Sequence, residues 1–266
     1  MTHRARKRFG QNFLVDSDIV RRIVEAIGPE PGQVILEIGP GEAALTQPLA
    51  DSGAELHLLE IDRDLTRRLR DRFREYENVR VHGEDALRAD FAAITGDRRF
   101  RLVGNLPYNI STPLLFHVLG WSDRIADMHF MLQREVVRRM AAGPGGKARG
   151  KLSVTCQYRC EVTPLFDIPP ESFRPAPKVH STLVRLKPHA SPPVALDDPG
   201  DFDRLLSRAF SMRRKTLRNS LRELLPPDRI ESAGIDPGLR PETLDLESWA
   251  RLSNRLSRSD TDERIS

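Results

Sequence analysis

The chain has 266 residues, 39% of them hydrophobic, enough to bury an ordinary core as one large domain or one domain with a small appendage. Its formal net charge of +4 is carried almost wholly by arginine, because lysine occurs only at Lys7, Lys147, Lys151, Lys178, Lys187 and Lys215, and arginine's bidentate phosphate contacts favour a polyanionic partner. Two cysteines, Cys156 and Cys160, exclude a cysteine zinc cluster or a disulfide framework, and neither a membrane-length apolar run nor a signal-peptide pattern is present. A cytoplasmic monomer with no membrane and no metal is the expectation.

In chain order, Arg4, Arg6, Lys7 and Arg8 precede the first acid, Asp16. Such a run reads as a solvated tail, as a transit peptide, for which the stretch is short and lacks an apolar face, or as an arm on a phosphate backbone, and the aromatics and amides of Phe9-Gly10-Gln11-Asn12-Phe13-Leu14 favour the arm. Asp16, Ser17 or Asp18 caps a helix with Ile19, Ile23, Val24 and Ile27 on its apolar face, stopped by Gly28-Pro29. Val34-Ile35-Leu36 then runs into Glu37-Ile38-Gly39-Pro40-Gly41, a glycine turn at the end of a buried strand, where a ligand can approach the backbone. Ala44 stands where a dinucleotide fingerprint has its third glycine. A second strand, Leu56 to Leu59, ends at Glu60, 21 residues after Gly39, the spacing of a carboxylate that binds ribose hydroxyls. Past a third strand, Val79 to Val81, Asp85 is either an acceptor for an adenine amine or the N-cap of the next turn.

The fourth strand, Leu102-Val103-Gly104, delivers Asn105-Leu106-Pro107-Tyr108. Asn105 offers a side-chain carbonyl, Pro107 restricts Leu106 and so aims the Leu106 carbonyl, and Tyr108 supplies a face for a heterocycle. Two acceptors and a stacking ring suit a base taken out of its stack for chemistry on its exocyclic nitrogen. An adenosyl cofactor lying along the strand ends points its reactive group at Asn105. A nicotinamide dinucleotide fits less well, since Ala44 weakens the pyrophosphate seat and no proton donor stands near Asn105. Acceptors around an amine suit methyl transfer from S-adenosylmethionine.

Further on, Leu114, Leu115, Val118 and Leu119 mark a helix, Met128 to Leu132 a fifth strand, and Gln133 to Ala142 another helix that stops at a glycine-rich loop carrying Lys147, Arg149 and Lys151, a candidate backbone clamp. The alternation from Leu152 to Cys160 reads as a strand. It pairs with Val179 to Leu186 around a proline-stiffened loop where Phe173, a core plug or preferably a second stacking face, precedes Lys178. Residues 188 to 193 read as a linker. Arg204 to Leu225 reads as one amphipathic helix, Phe210, Leu217, Leu221 and Leu224 opposite Arg208, Lys215, Arg218 and Arg222, with Arg213 and Arg214 widening a basic face fit for an RNA backbone. A last helix carries Leu246, Trp249, Leu252 and Leu256. The expected division is a catalytic domain over 1–188, a small helical domain over 194–257 and a polar tail over 258–266.

Four segments, Lys7 to Leu14, Glu37 to Gly41, Asn105 to Thr112 and Phe173 to Val179, resemble in spelling and order the motifs of the 16S ribosomal RNA adenine dimethyltransferases, and the resemblance covers nearly the whole chain. It implies a Rossmann-like class I methyltransferase fold, α/β, with a seven-stranded, mostly parallel sheet and one antiparallel strand, plus a small C-terminal helical domain. It implies two adjacent adenosines in a 3′-terminal hairpin loop of 16S RNA as substrate, in the small (30S) subunit or its precursor. It also implies cofactor contacts at Asn12, Leu14, Gly39, Glu60, Asp85 and Asn105, with Gly41 in the same turn; Asn12 and Leu14 rest on the resemblance alone. Two rivals are a related enzyme acting on 23S RNA and an assembly or transcription factor that binds RNA without catalysis. The intact Asn105-to-Tyr108 motif argues against the factor, and the Phe9-Gly10 and Asn105-Leu106 spellings lean away from the 23S enzyme.

Overall fold

The computed structural model describes residues 11–212 and 214–265, with side chains of the last helix through Ser257. The chain divides into two compact units, one of residues 1–137 and 161–188, the other of 138–160 and 189–266.

The first unit is built on a sheet whose strands follow the apolar runs. A short β1 (Phe13–Leu14) precedes helix α1 (Ser17–Ile27); then alternate β2 (Val34–Ile38), α2 (Thr46–Asp51), β3 (Glu55–Leu59), α3 (Arg63–Arg72), β4 (Val79–His82), α4 (Phe91–Thr95), β5 (Phe100–Asn105), α5 (Ser111–Leu119) and β6 (Ile125–Gln133). Helix α6 (Arg134–Met140) and helix α7 (Lys151–Arg159) follow, then β7 (Cys160–Ile168), β8 (Phe173–Arg174) and β9 (Ser181–Pro188). The seven-stranded sheet runs β4-β3-β2-β5-β6-β9-β7, with β2 to β6 parallel and β9 antiparallel to β6. Every residue of β2 is buried, as a strand covered on both faces requires. The chain crosses from β4 on one side of β2 to β5 on the other, which opens a crevice beyond the strand ends at β2.

Helix α1 forms as its caps predict. Asp16 Oδ1 accepts from the Asp18 and Ile19 N–H groups, and Gly28, in the left-handed region at φ +56°, closes the far end on the Val24 carbonyl. Its buried Ile19, Ile23 and Ile27 join the core with Ile35, Leu56, Val103 and Phe173, each such side chain contributing about 2 kcal/mol.

The second unit adds α8 (Pro199–Phe210), α9 (Leu217–Ser220), α10 (Pro227–Ser232) and α11 (Leu246–Ile265) around a core of Trp249, Leu205, Leu206, Leu217, Leu221 and Leu252. Four expectations are revised in this part of the chain. Residues 151–159 are helical and the strand begins at Cys160. Leu152, Ser153, Val154, Cys156 and Tyr158 are all buried, and a helix buried on more than one side shows the same apolar alternation as a strand. The helix expected from Arg204 to Leu225 is two helices, α8 and α9. The chain turns between them because the Leu217 and Arg218 N–H groups donate to the Leu239 and Pro237 carbonyls instead of continuing a helical ladder. The expected polar tail is the end of α11, helical to Ile265. The catalytic domain expected over 1–188 gives up residues 138–160 to the second unit, where Val154 and Tyr158 pack with the helices.

Candidate functional site

The crevice at the carboxyl ends of β2, β3, β4 and β5 is a cavity lined by Asn12, Leu14, Gly39, Gly41, Glu60, Asp85, Asn105, Leu106, Pro107 and Tyr108 among others. All the residues expected to contact the cofactor lie on its wall. The glycine turn forms its floor. Gly39 and Gly41 have φ of +66° and +56°, and the Gly39 N–H donates to the Leu59 carbonyl at 2.9 Å, tying the turn to β3. A Cβ on Gly41 would lie 2.9 Å from Cδ1 of Phe13, so only glycine lets the Phe13 ring lie on the turn. Phe13 and Leu14 are held there by pairing with Arg174 and Phe173, by the Val15 N–H donating to the Ser172 carbonyl at 2.9 Å, and by the Ser172 hydroxyl donating to Asp16 at 2.9 Å.

Carboxyl groups stand at the strand ends. Glu60 is 5% exposed, and its two oxygens accept from the Gly41 N–H at 3.3 Å and the Asp62 N–H at 2.9 Å. Burial pushes its pKa up while those N–H groups pull it down, and lone pairs on both oxygens remain for a diol. Asp85 Oδ1 accepts from the Leu87 N–H at 3.0 Å, so it caps the turn, and the residue lines the cavity. Glu37, for which the sequence suggested no role, also lines the cavity. It is 2% exposed, the Thr46 hydroxyl donates to it at 2.8 Å, and burial pushes its pKa up to about 8. The signal was available: an acid closes the apolar run Val34-Ile35-Leu36.

At the end of β5, the Asn105 side-chain amide donates to the Asn12 carbonyl at 2.7 Å, leaving its Oδ1 as the acceptor for a ligand. Gly104 must be glycine, since a Cβ there would overlap the Ile38 carbonyl of β2. The Leu106 N–H donates to the Met131 carbonyl at 3.3 Å and the Ile110 N–H to Pro107 at 3.1 Å, which fixes the peptide planes between Asn105 and Tyr108. The Tyr108 hydroxyl is 2.6 Å from the Ser181 Oγ on β9. Ser181 was not read from the sequence, because its partner is 73 residues away. Burial raises the Tyr108 pKa, so the ring is a neutral, oriented platform.

Three expected site residues lie elsewhere. Phe173 is 0% exposed and packs in the core with Leu14 and Ile168; it is the core plug and no free stacking face, because pairing with β1 turns it inward. Arg149 is 5% exposed, and its guanidinium donates to the Leu244 and Ala142 carbonyls and to Gln157, so it ties its loop down and does not clamp a backbone. Arg208 is half-buried and paired with Glu223 at 2.7 Å, within the helical unit. Lys147, Lys178, Arg214, Lys215, Arg218 and Arg222 are exposed, whereas Arg6, Lys7, Arg8 and Arg213 lie outside the described residues. Among the described residues no cluster of three or more His, Cys, Asp or Glu could hold a metal, and no helix is long and apolar enough to cross a membrane.

A parallel sheet in this order, with a glycine turn, a buried acid at Glu60 and the Asn105-Leu106-Pro107-Tyr108 segment at one cavity, defines an S-adenosylmethionine-dependent methyltransferase of class I. Residues 2–258 match the family model described as ribosomal RNA adenine dimethylase, and the chain belongs to that family. It is 52% identical over 256 residues to the ribosomal RNA small subunit methyltransferase A of Pseudomonas aeruginosa, covering 96% of each chain. It is 50% identical to the protein of the same name from Idiomarina loihiensis, covering 96% of this chain and 88% of that one. Among solved structures it is similar to a dimethyladenosine transferase from Plasmodium falciparum (TM-score 0.81, 25% identity, 93% and 98% of the two chains). It is also similar to the 23S rRNA methyltransferase ErmE (TM-score 0.71, 28% identity, 92% and 100%).

Proposed function

We propose that this chain dimethylates the exocyclic amines of two adjacent adenosines in the 3′-terminal hairpin loop of 16S rRNA, in the small subunit or its precursor. Glu60 holds the donor's ribose hydroxyls, Asp85 its adenine amine, and the Asn12–Leu14 segment covers it. A target adenine stacks on Tyr108 while Asn105 Oδ1 and the Leu106 carbonyl accept its two amine hydrogens. That grip counters delocalisation of the nitrogen lone pair into the ring, aiming it at the methyl carbon. The new N–C bond forms as the methyl–sulfur bond breaks, and the displaced amine proton leaves to solvent. Exposed Arg214, Lys215, Arg218 and Arg222 suit phosphate contacts.

The observation that carries this reading is the Asn105–Asn12 bond at the wall of an acid-lined cavity, which presents an acceptor where an amine must sit. The small-subunit relatives, at about half identity over both full lengths, favour 16S over the 23S substrate of ErmE. Labelled donor supplied with small-subunit precursors, large-subunit precursors or naked RNA is expected to mark paired adenosines in the first. Label confined to large-subunit RNA contradicts the proposal.

A further inference from the structure

Five carboxyl side chains line the cavity, Glu37, Glu42, Glu60, Glu84 and Asp85, and among the described residues no lysine, arginine or histidine does. Glu42 and Glu84 are exposed to water, but Glu37 and Glu60 are buried. A buried carboxylate without a cationic partner is costly unless donors satisfy it. Glu60 has two backbone donors; Glu37 has the Thr46 hydroxyl.

The surroundings of Glu37 contain no compensating charge among the described residues. In the sheet it lies between Leu58 of β3 and Val103 of β5, α2 contributes Thr46, and Glu60, which is negative, acts on it to disfavour ionisation. Two strands across in the same register row, His129 of β6 is buried and held neutral, its pKa pushed down by burial. Glu37 therefore keeps its proton at neutral pH, with a pKa of about 8. The methyl donor is a sulfonium, and the thioether left after transfer carries one positive charge fewer.

We propose that Glu37 makes the cavity selective for the cationic methyl donor over its thioether product, giving up its proton to solvent when the donor's positive charge arrives. This rests on the function proposed above. Transfer of the methyl removes the charge that stabilises the carboxylate, Glu37 takes a proton back, and the product is held less tightly than the donor was. The ratio of the two affinities then follows pH, rising toward about pH 8 and levelling above it, where Glu37 is ionised before the donor binds.

Isothermal titration of S-adenosylmethionine and of S-adenosylhomocysteine, each in two buffers of different ionisation enthalpy, counts the protons released. Near pH 7 the donor is expected to release up to about one proton beyond the product, and the affinity ratio to rise by up to about tenfold per pH unit below 8. E37Q is expected to lose both effects, and this difference removes the contribution of the ligands' own amino group. Equal proton release by the two ligands, a pH-independent ratio, or the same pattern in E37Q overturns the proposal. The wild-type measurements decide it even if E37Q fails to fold. Binding of neither ligand overturns the functional reading as well, whereas methylation of RNA without proton linkage overturns this inference alone.

Discussion

Asn105 and Asn12 stand 93 residues apart in the chain and meet through one hydrogen bond of 2.7 Å, from the Asn105 amide to the Asn12 carbonyl. The bond consumes a donor and leaves Oδ1 as an acceptor at the cavity wall, so it sets the polarity of Asn105 there. Asn105→Ala, assayed at saturating donor, is expected to lower turnover on the order of 10²-fold, the usual cost of losing one oriented group at a reacting centre. Asn105→Asp is expected to do no better, because it sets a carboxylate against the Asn12 carbonyl. Turnover close to wild type in the alanine variant contradicts the role assigned to Asn105.

Gly104 touches the backbone of Ile38 so closely that a methyl group has no room. Gly104→Ala forces β2 and β5 apart at the point where they present Gly39 and Asn105. It is expected to cost about 1–3 kcal/mol in denaturant unfolding and to weaken donor binding at the same time. An unchanged unfolding midpoint shows that the strands yield more easily than their packing implies.

Ser181 orients Tyr108 without lining the cavity. Ser181→Ala frees the ring, and since such a bond is worth about 1 kcal/mol, KM for RNA is expected to rise roughly fivefold, with donor affinity unchanged. Ser181→Thr retains the hydroxyl and restores KM if the added methyl fits. An equal loss of donor affinity in the alanine variant points to a general structural defect instead.

The ligand-free protein carries a pH signature of Glu37. Its folded-state pKa of about 8 lies above the ordinary 4.5, so the folded protein keeps a proton that the unfolded chain releases. The stability this contributes is full below 4.5 and lost as pH rises through 8. Glu37→Gln is therefore expected to gain stability relative to wild type as pH climbs through that window, at up to about 1.4 kcal/mol per unit. Unfolding curves of both proteins at about pH 5 and about pH 8.5 measure the gain; a difference independent of pH contradicts it.

The basic residues of the helical unit separate into two kinds. Arg149→Ala leaves the Leu244 carbonyl and the Gln157 Oε1 without their donor, while the Ala142 carbonyl keeps only the Gln157 amide, and is expected to lower stability by about 2 kcal/mol or more, with RNA affinity affected only through folding. Lys215→Ala and Arg218→Ala, both at exposed positions, are expected to leave stability nearly unchanged and to reduce the salt dependence of RNA binding by about one unit of slope each. Salt titration of binding beside thermal unfolding distinguishes the two, and an unaltered slope removes these side chains from the RNA surface.

The sequence by itself determined which residues stand at the strand ends. Gly39, Glu60 and Asn105 follow apolar runs and Asp85 lies three residues past β4, and in a parallel sheet the residues after consecutive strands gather at one edge, so position along the chain already specified their neighbourhood. Local caps were equally readable, as at Asp16 and Gly28. Tertiary structure alone decided what depends on residues far apart in sequence. The apolar alternation after Leu152 became a helix because it is buried on more than one side, and the helix expected from Arg204 to Leu225 is divided because Leu239 and Pro237 take the Leu217 and Arg218 amide hydrogens. Phe173 went inward through its pairing with β1, Arg149 found three acceptors, and Glu37 acquired its proton from burial. Periodicity and punctuation report on a residue's own few neighbours, whereas burial, charge state and strand partners are set by contacts that exist only once the chain has closed on itself.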